Sequence, residues 1–109
     1  METAPDWEWD KMRPWSKAVF RKDHRLAVAV VATVARPREL YAQAIADRLG
    51  LEQAEVRGHL RDFEAAGLLK KSEEKGPVSG AGGRPAALYA RTEDEFWTCL
   101  AKLGDRFRR

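Results

Sequence analysis

A chain of 109 residues that is 44% hydrophobic and 34% charged is one domain's worth of globular protein. It is too apolar for intrinsic disorder and too short for more than one compact core. A net charge of +3 permits a nucleic-acid partner without requiring one, and the single cysteine, Cys99, excludes an intrachain disulfide and a thiolate metal cluster.

The charge is unevenly spread. Met1 to Met12 sets four carboxylates against Lys11, whereas Arg13 to Arg25 sets five cations against Asp23. Gly67 to Arg91 and Ala101 to Arg109 are also net basic. The acidic start lacks the basic and apolar regions of a signal peptide. No apolar run approaches the roughly 20 residues of a membrane span. With one cysteine, the expected setting is reducing and cytoplasmic.

Residues 1–14, with Pro5, Pro14, Trp7 and Trp9, read as a poorly ordered acidic tail, and 15–109 as the folded domain. Trp15 to Lys22 reads as a short amphipathic helix with Trp15, Val19 and Phe20 on one side, and Asp23 as the N-cap of the next. Leu26 to Ala35, LAVAVVATVA, is apolar almost all round. Its valines suit a buried strand, but its alanines, length and lack of alternation favour a buried helix. Pro37 ends it. Arg38 to Leu40 is either a very short strand or the start of the second helix.

Tyr41, Ile45 and Leu49 repeat every fourth residue and mark that second helix, which Gly50 closes in left-handed geometry. A third helix is expected from Glu52 to Ala66, with Val56, Leu60 and Phe63 inward and Gln53, Glu55, Arg57, Gly58 and Arg61 outward. Gly67 ends it. Leu68 to Ser72 and Ala86 to Arg91 read as two strands around a flexible tip, Gly76 to Gly83, which holds four glycines and Pro77. Thr92-Glu93-Asp94-Glu95 has the form of a capping box. The helix after it carries Phe96, Leu100, Leu103 and Phe107 at spacings of four, three and four, a stripe wide enough to pair with another helix.

Helix, turn, helix, then a two-stranded hairpin is the order of a winged helix-turn-helix: mainly α with a small β-hairpin wing. ELYAQAIADRLGLEQAEVRGHLRDFEAAGLLKK, Glu39 to Lys71, resembles winged-helix transcriptional regulators of the ArsR and MarR type. Gly83-Arg84-Pro85 with Tyr89 and Thr92 resembles their returning wing strand. The likeness covers Leu26 to Thr92.

That resemblance implies a homodimer that binds duplex DNA and regulates transcription. The helix after the turn would enter the major groove, with Gln53, Glu55, Arg57 and Arg61 near base edges. Lys70, Lys71 and Lys75 would meet phosphates, and Arg84 the minor groove or backbone. Trp15, Phe20, Phe96, Trp97, Leu100, Leu103 and Phe107 would build the dimer interface.

Three features depart from the pattern. Gly58 stands where the family has a larger polar side chain, and Glu52 and Glu55 put negative charge where phosphates approach. The two positions where ArsR-type metal sensors carry cysteines are Tyr41 and Gln43, so no metal or other cofactor is expected. His59 is expected as a packed or capping residue, and Cys99 as a buried inert thiol. No glycine-rich loop leads into a Lys-Ser/Thr and a helix, and no enzymatic activity is expected. Trp7 and Trp9 would fold back on a partner subunit or dock another protein. The rival reading is a winged-helix protein–protein interaction module that does not read DNA, favoured by the acidic tail, Gly58 and the carboxylates of the reading helix.

Overall fold

The computed structural model describes residues 7–78 and 85–108. Five α-helices and one antiparallel hairpin follow in the order α1 (Trp9–Phe20), α2 (Arg25–Val34), α3 (Ala42–Leu49), α4 (Gln53–Ala65), β1 (Leu69–Val78), β2 (Pro85–Arg91) and α5 (Glu95–Asp105). The mainly helical architecture with a β-hairpin agrees with the expected fold class. Among the described residues no helix is long and apolar enough to cross a membrane.

α2 is the hub. Every side chain from Leu26 to Ala32 is buried, and the helix touches α1, α3, α4 and α5. It therefore forms because all its faces find partners, and the strand alternative falls. Ala35 leaves it in extended geometry, two residues before Pro37. Pro37–Glu39 is a single 3-10 turn. Leu40 is then buried, and its carbonyl accepts from the Tyr89 amide at 2.9 Å, so this connection docks beside β2.

α3 and α4 are joined by Gly50-Leu51-Glu52. Gly50 takes φ +69°, the left-handed value that a side chain resists, and turns the chain. Val56, Leu60 and Phe63 of α4 are buried as expected, and His59 joins them.

The wing is longer than its composition suggests. β1 runs on through Gly76-Pro77 to Val78, with register irregularities between Lys71 and Lys75 and again before Val78. Gly76 belongs to this strand because the backbones meet closely there: a Cβ would lie 2.9 Å from the Ala86 carbonyl oxygen. The rest of the expected tip, 79–83, lies outside the described residues.

The boundary of the expected tail is corrected. Helix α1 begins at Trp9 and runs through Pro14. Proline costs one backbone bond there, but burial of Met12 and Ser16 holds the segment. Trp7 is 4% exposed and pairs with Arg108 as an isolated β-bridge. The Glu8 amide donates to the Phe107 carbonyl at 2.7 Å. Two guanidiniums flank the Trp7 ring, Arg108 at 4.6 Å and Arg48 at 5.6 Å from its centroid. The start of the described chain is thus stitched to its end.

Two caps also move. Asp23 does not cap α2. It accepts from Arg13 Nε and Nη2 at 3.1 and 3.0 Å and lies 3.8 Å from Lys17 Nζ, while His24 occupies the cap position. At α5 the cap is Asp94, whose side chain accepts from the Phe96 amide at 2.8 Å. Thr92 is engaged elsewhere, donating to the Gly67 carbonyl at 2.8 Å and the Leu68 carbonyl at 3.1 Å. Trp97 Nε1 donates to the same Leu68 oxygen at 2.9 Å. Together they lock the end of α4 to the base of the wing.

The apolar stripe of α5 is used within the chain. Trp97 and Leu100 are buried against the core, and Phe96, Leu103 and Phe107 are partly buried on it. Trp15 and Phe20 are likewise partly buried and meet edge-on at 6.1 Å. The buried face of α5 centres on Trp97, Leu100 and Gly104. It is rotated away from Cys99, which is exposed rather than buried.

Candidate nucleic-acid interface

The outward side of α4 faces the wing across a groove of about 430 Å³. Gln53, Arg57 and Arg61 line it from α4, Lys71 from β1, Tyr89 from β2, and Tyr41 and Gln43 from the start of α3. At about 100° per residue, positions 53, 57 and 61 form one flank of the helix. The wing lies beside that flank because Gly67 (φ +82°) turns the chain sharply and Thr92 and Trp97 pin the turn. Arg57 and Arg61 are exposed, and neither has an ion-pair partner among the described residues.

Four of the expected contact residues therefore meet: Gln53, Arg57, Arg61 and Lys71. Lys70 and Lys75 are exposed on the hairpin but do not line the groove. Arg84 lies outside the described residues. Tyr41, read from its spacing as part of an inner stripe, is only half-buried and lines the groove instead.

Glu55 sits apart from this group. It belongs to the other flank of α4, with His59 and Asp62, where its Oε2 lies 2.7 Å from His24 Nδ1 and 3.5 Å from His59 Nε2. Partial burial pushes its carboxyl up, but the hydrogen bonds and charges of His24 and His59 outweigh this and hold it below its ordinary value. Arg25 joins the same cluster, donating from Nε to His59 Nδ1 at 3.1 Å and pairing with Asp62. Burial, helped by the charges of Arg25 and Lys22, pushes the His59 imidazole below its ordinary value against the pull of Glu55. His59 is thus a packed residue of the cluster.

The consequence is electrostatic. The carboxylates at 55 and 62 are tied to cations or imidazoles of α2, while the arginines at 57 and 61 are left to solvent. Tyr89 feels the same asymmetry. Burial and the charge of Glu64 push its hydroxyl above its ordinary value, and Arg61 opposes them. Between the two flanks the helix presents small residues, Ala54, Gly58 and Ala65. Among the described residues a Cβ at Gly58 would meet nothing within 4 Å, so none of them requires glycine there.

No protein-family model, curated protein or solved structure matches the chain.

Proposed function

We propose that the protein binds duplex DNA sequence-specifically through α4 and the wing, and regulates transcription. One observation carries the reading. Arg57 and Arg61 stand exposed, without an ion-pair partner among the described residues, on the outer side of a helix that follows a tight turn, with Lys71 across a groove from them. Forked guanidiniums on such a helix suit guanine edges in the major groove, and a lysine on the adjoining hairpin suits phosphate. The helix-turn-helix order and the expected family resemblance support the same assignment.

Two supports of the interaction-module alternative weaken, although Glu52 stays exposed without an ion-pair partner among the described residues. Trp7 is occupied inside the fold, and Glu55 is bonded to His24. The argument for a homodimer from α5 is reduced, because Leu100 is buried within the chain while Phe96, Leu103 and Phe107 are partly buried on its core.

The test is fluorescence anisotropy of a labelled mixed-sequence duplex across a salt series, followed by selection and sequencing of genomic fragments. Binding should weaken steeply with salt, and one motif should be enriched. Absence of binding at low salt would overturn the proposal.

A further inference from the structure

The wing supplies only one side of the interface. The other flank of α4, carrying Glu55, His59 and Asp62, abuts the turn between α1 and α2, through the His24–Glu55 and Arg25–His59 contacts. That turn is cationic. Its one carboxylate, Asp23, is held by Arg13 and Lys17, and Arg25 is engaged with Asp62. After these pairings Arg21 and Lys22 remain exposed, without an ion-pair partner among the described residues.

The turn is also rigidly built. Ser16, fully buried, donates to the Lys22 carbonyl at 2.5 Å and accepts from the Leu26 amide at 3.0 Å, bridging α1 to α2. Arg21 holds φ +62°, a left-handed conformation unusual for a residue with a side chain, and its amide closes α1 on the Lys17 carbonyl at 2.9 Å.

A helix in the major groove has a phosphate backbone on each side, across a width of about 12 Å. The wing serves one backbone. We propose that Arg21 and Lys22 form a second phosphate-binding edge for the duplex, on the far side of α4 from the wing. This rests on the DNA-binding reading. Its role is positional: two cationic edges bracket the reading helix and fix its register, and neither carries sequence information. The bond between His24 and Glu55 belongs to the same design, because it keeps a carboxylate off the backbone that Arg21 and Lys22 would meet.

The experiment is the slope of log affinity against log salt for a labelled mixed-sequence duplex, measured for the full chain and for variants with unchanged thermal melts. R21Q/K22Q should flatten the slope by about 1.8 units, at ~0.9 per phosphate contact. Lys22→Gln alone, which leaves the left-handed backbone at Arg21 untouched, should flatten it by about 0.9. Lys71→Gln should add its own loss independently. If Lys71→Gln flattens the slope and R21Q/K22Q does not, the second edge is refuted and the DNA-binding reading stands. If the unaltered chain binds no duplex at low salt, both fall.

Discussion

Arg25 Nε donates to His59 Nδ1 at 3.1 Å, so the neutral imidazole must carry its proton on Nε2, 3.5 Å from the Glu55 carboxylate. This fixes the polarity of the α2–α4 contact: guanidinium to imidazole to carboxylate. A second proton on His59 would place an N–H against an N–H.

Stability should therefore depend on pH in a definite direction. Burial and Arg25 hold the folded pKa of His59 below its value in the unfolded chain, about 6.5. The unfolded state then binds the proton more readily, so the contribution is complete above about pH 6.5 and is lost as pH falls through the folded pKa. Glu55, also lowered, adds loss in the same direction further into acid. His59→Gln can still accept from Arg25 but does not titrate. Thermal melts at pH 7.5 and 5.5, a window set by these shifts, should show a larger drop for the parent chain than for the variant. Equal drops would remove His59 as the titrating group.

Arg57 and Arg61 should carry sequence preference, in contrast to Lys71. Replacing either arginine with Ala should cost about 1–3 kcal/mol on the selected motif and relax preference at one base position. Lys71→Ala should weaken binding to every duplex alike and flatten the salt slope by about one unit. Competition with single-base variants of the motif separates the two behaviours, and unchanged preference in both arginine variants would remove α4 as the reader.

Gly58 tests the interface from the opposite side. Glycine in a helix interior costs about 0.5–1 kcal/mol relative to alanine, and the chain leaves open space around that position. Gly58→Ala should raise the melting temperature. If the outer ridge of α4, formed by Ala54 and Gly58, lies against base edges, the added methyl should lower duplex affinity in the same protein. A variant that is more stable and binds equally well would place Gly58 outside the contact.

The helices and the hairpin were legible because their signals are local: apolar spacing of three and four in α3 and α4, and glycines at two of the positive-φ stops, Gly50 and Gly67. Arg57, Arg61 and Lys71 were legible for the same reason, as outward positions of periodic elements. What escaped depends on remote partners. Trp7 sits in an acidic, proline-flanked stretch and is buried where Arg48, Gly104, Arg108 and the Trp9 ring converge on it. Thr92 and Asp94 both offer a cap within three residues, and the demand of the Leu68 carbonyl on Thr92 decides between them. Glu55 and His59 do carry a signal, an acidic residue and a histidine four apart, but their ties to His24 and Arg25 required the docking of α2.

Trp7 yields the last prediction, because it is built into the fold where the sequence read a poorly ordered tail. The ring is buried between two guanidiniums and packs beside Gly104, where a Cβ would stand 3.6 Å from the indole nitrogen. That nitrogen has no hydrogen-bond partner among the described residues. The side chain therefore acts through its apolar area and its π face, and its N–H contributes nothing favourable. Trp7→Ala should cost about 3–5 kcal/mol, as large-to-small changes in a core do. Trp7→Phe keeps an aromatic face for Arg108 and Arg48 and discards the unpaired N–H, so it should cost clearly less. Because α5 shares this packing, both variants should loosen the chain's end near Phe107, where the Glu8 amide bond would be lost. Denaturant melts, with hydrogen exchange read at the Glu8 amide, measure both effects. A Trp7→Ala protein with unchanged stability would show that the closure between the two ends does not hold in solution.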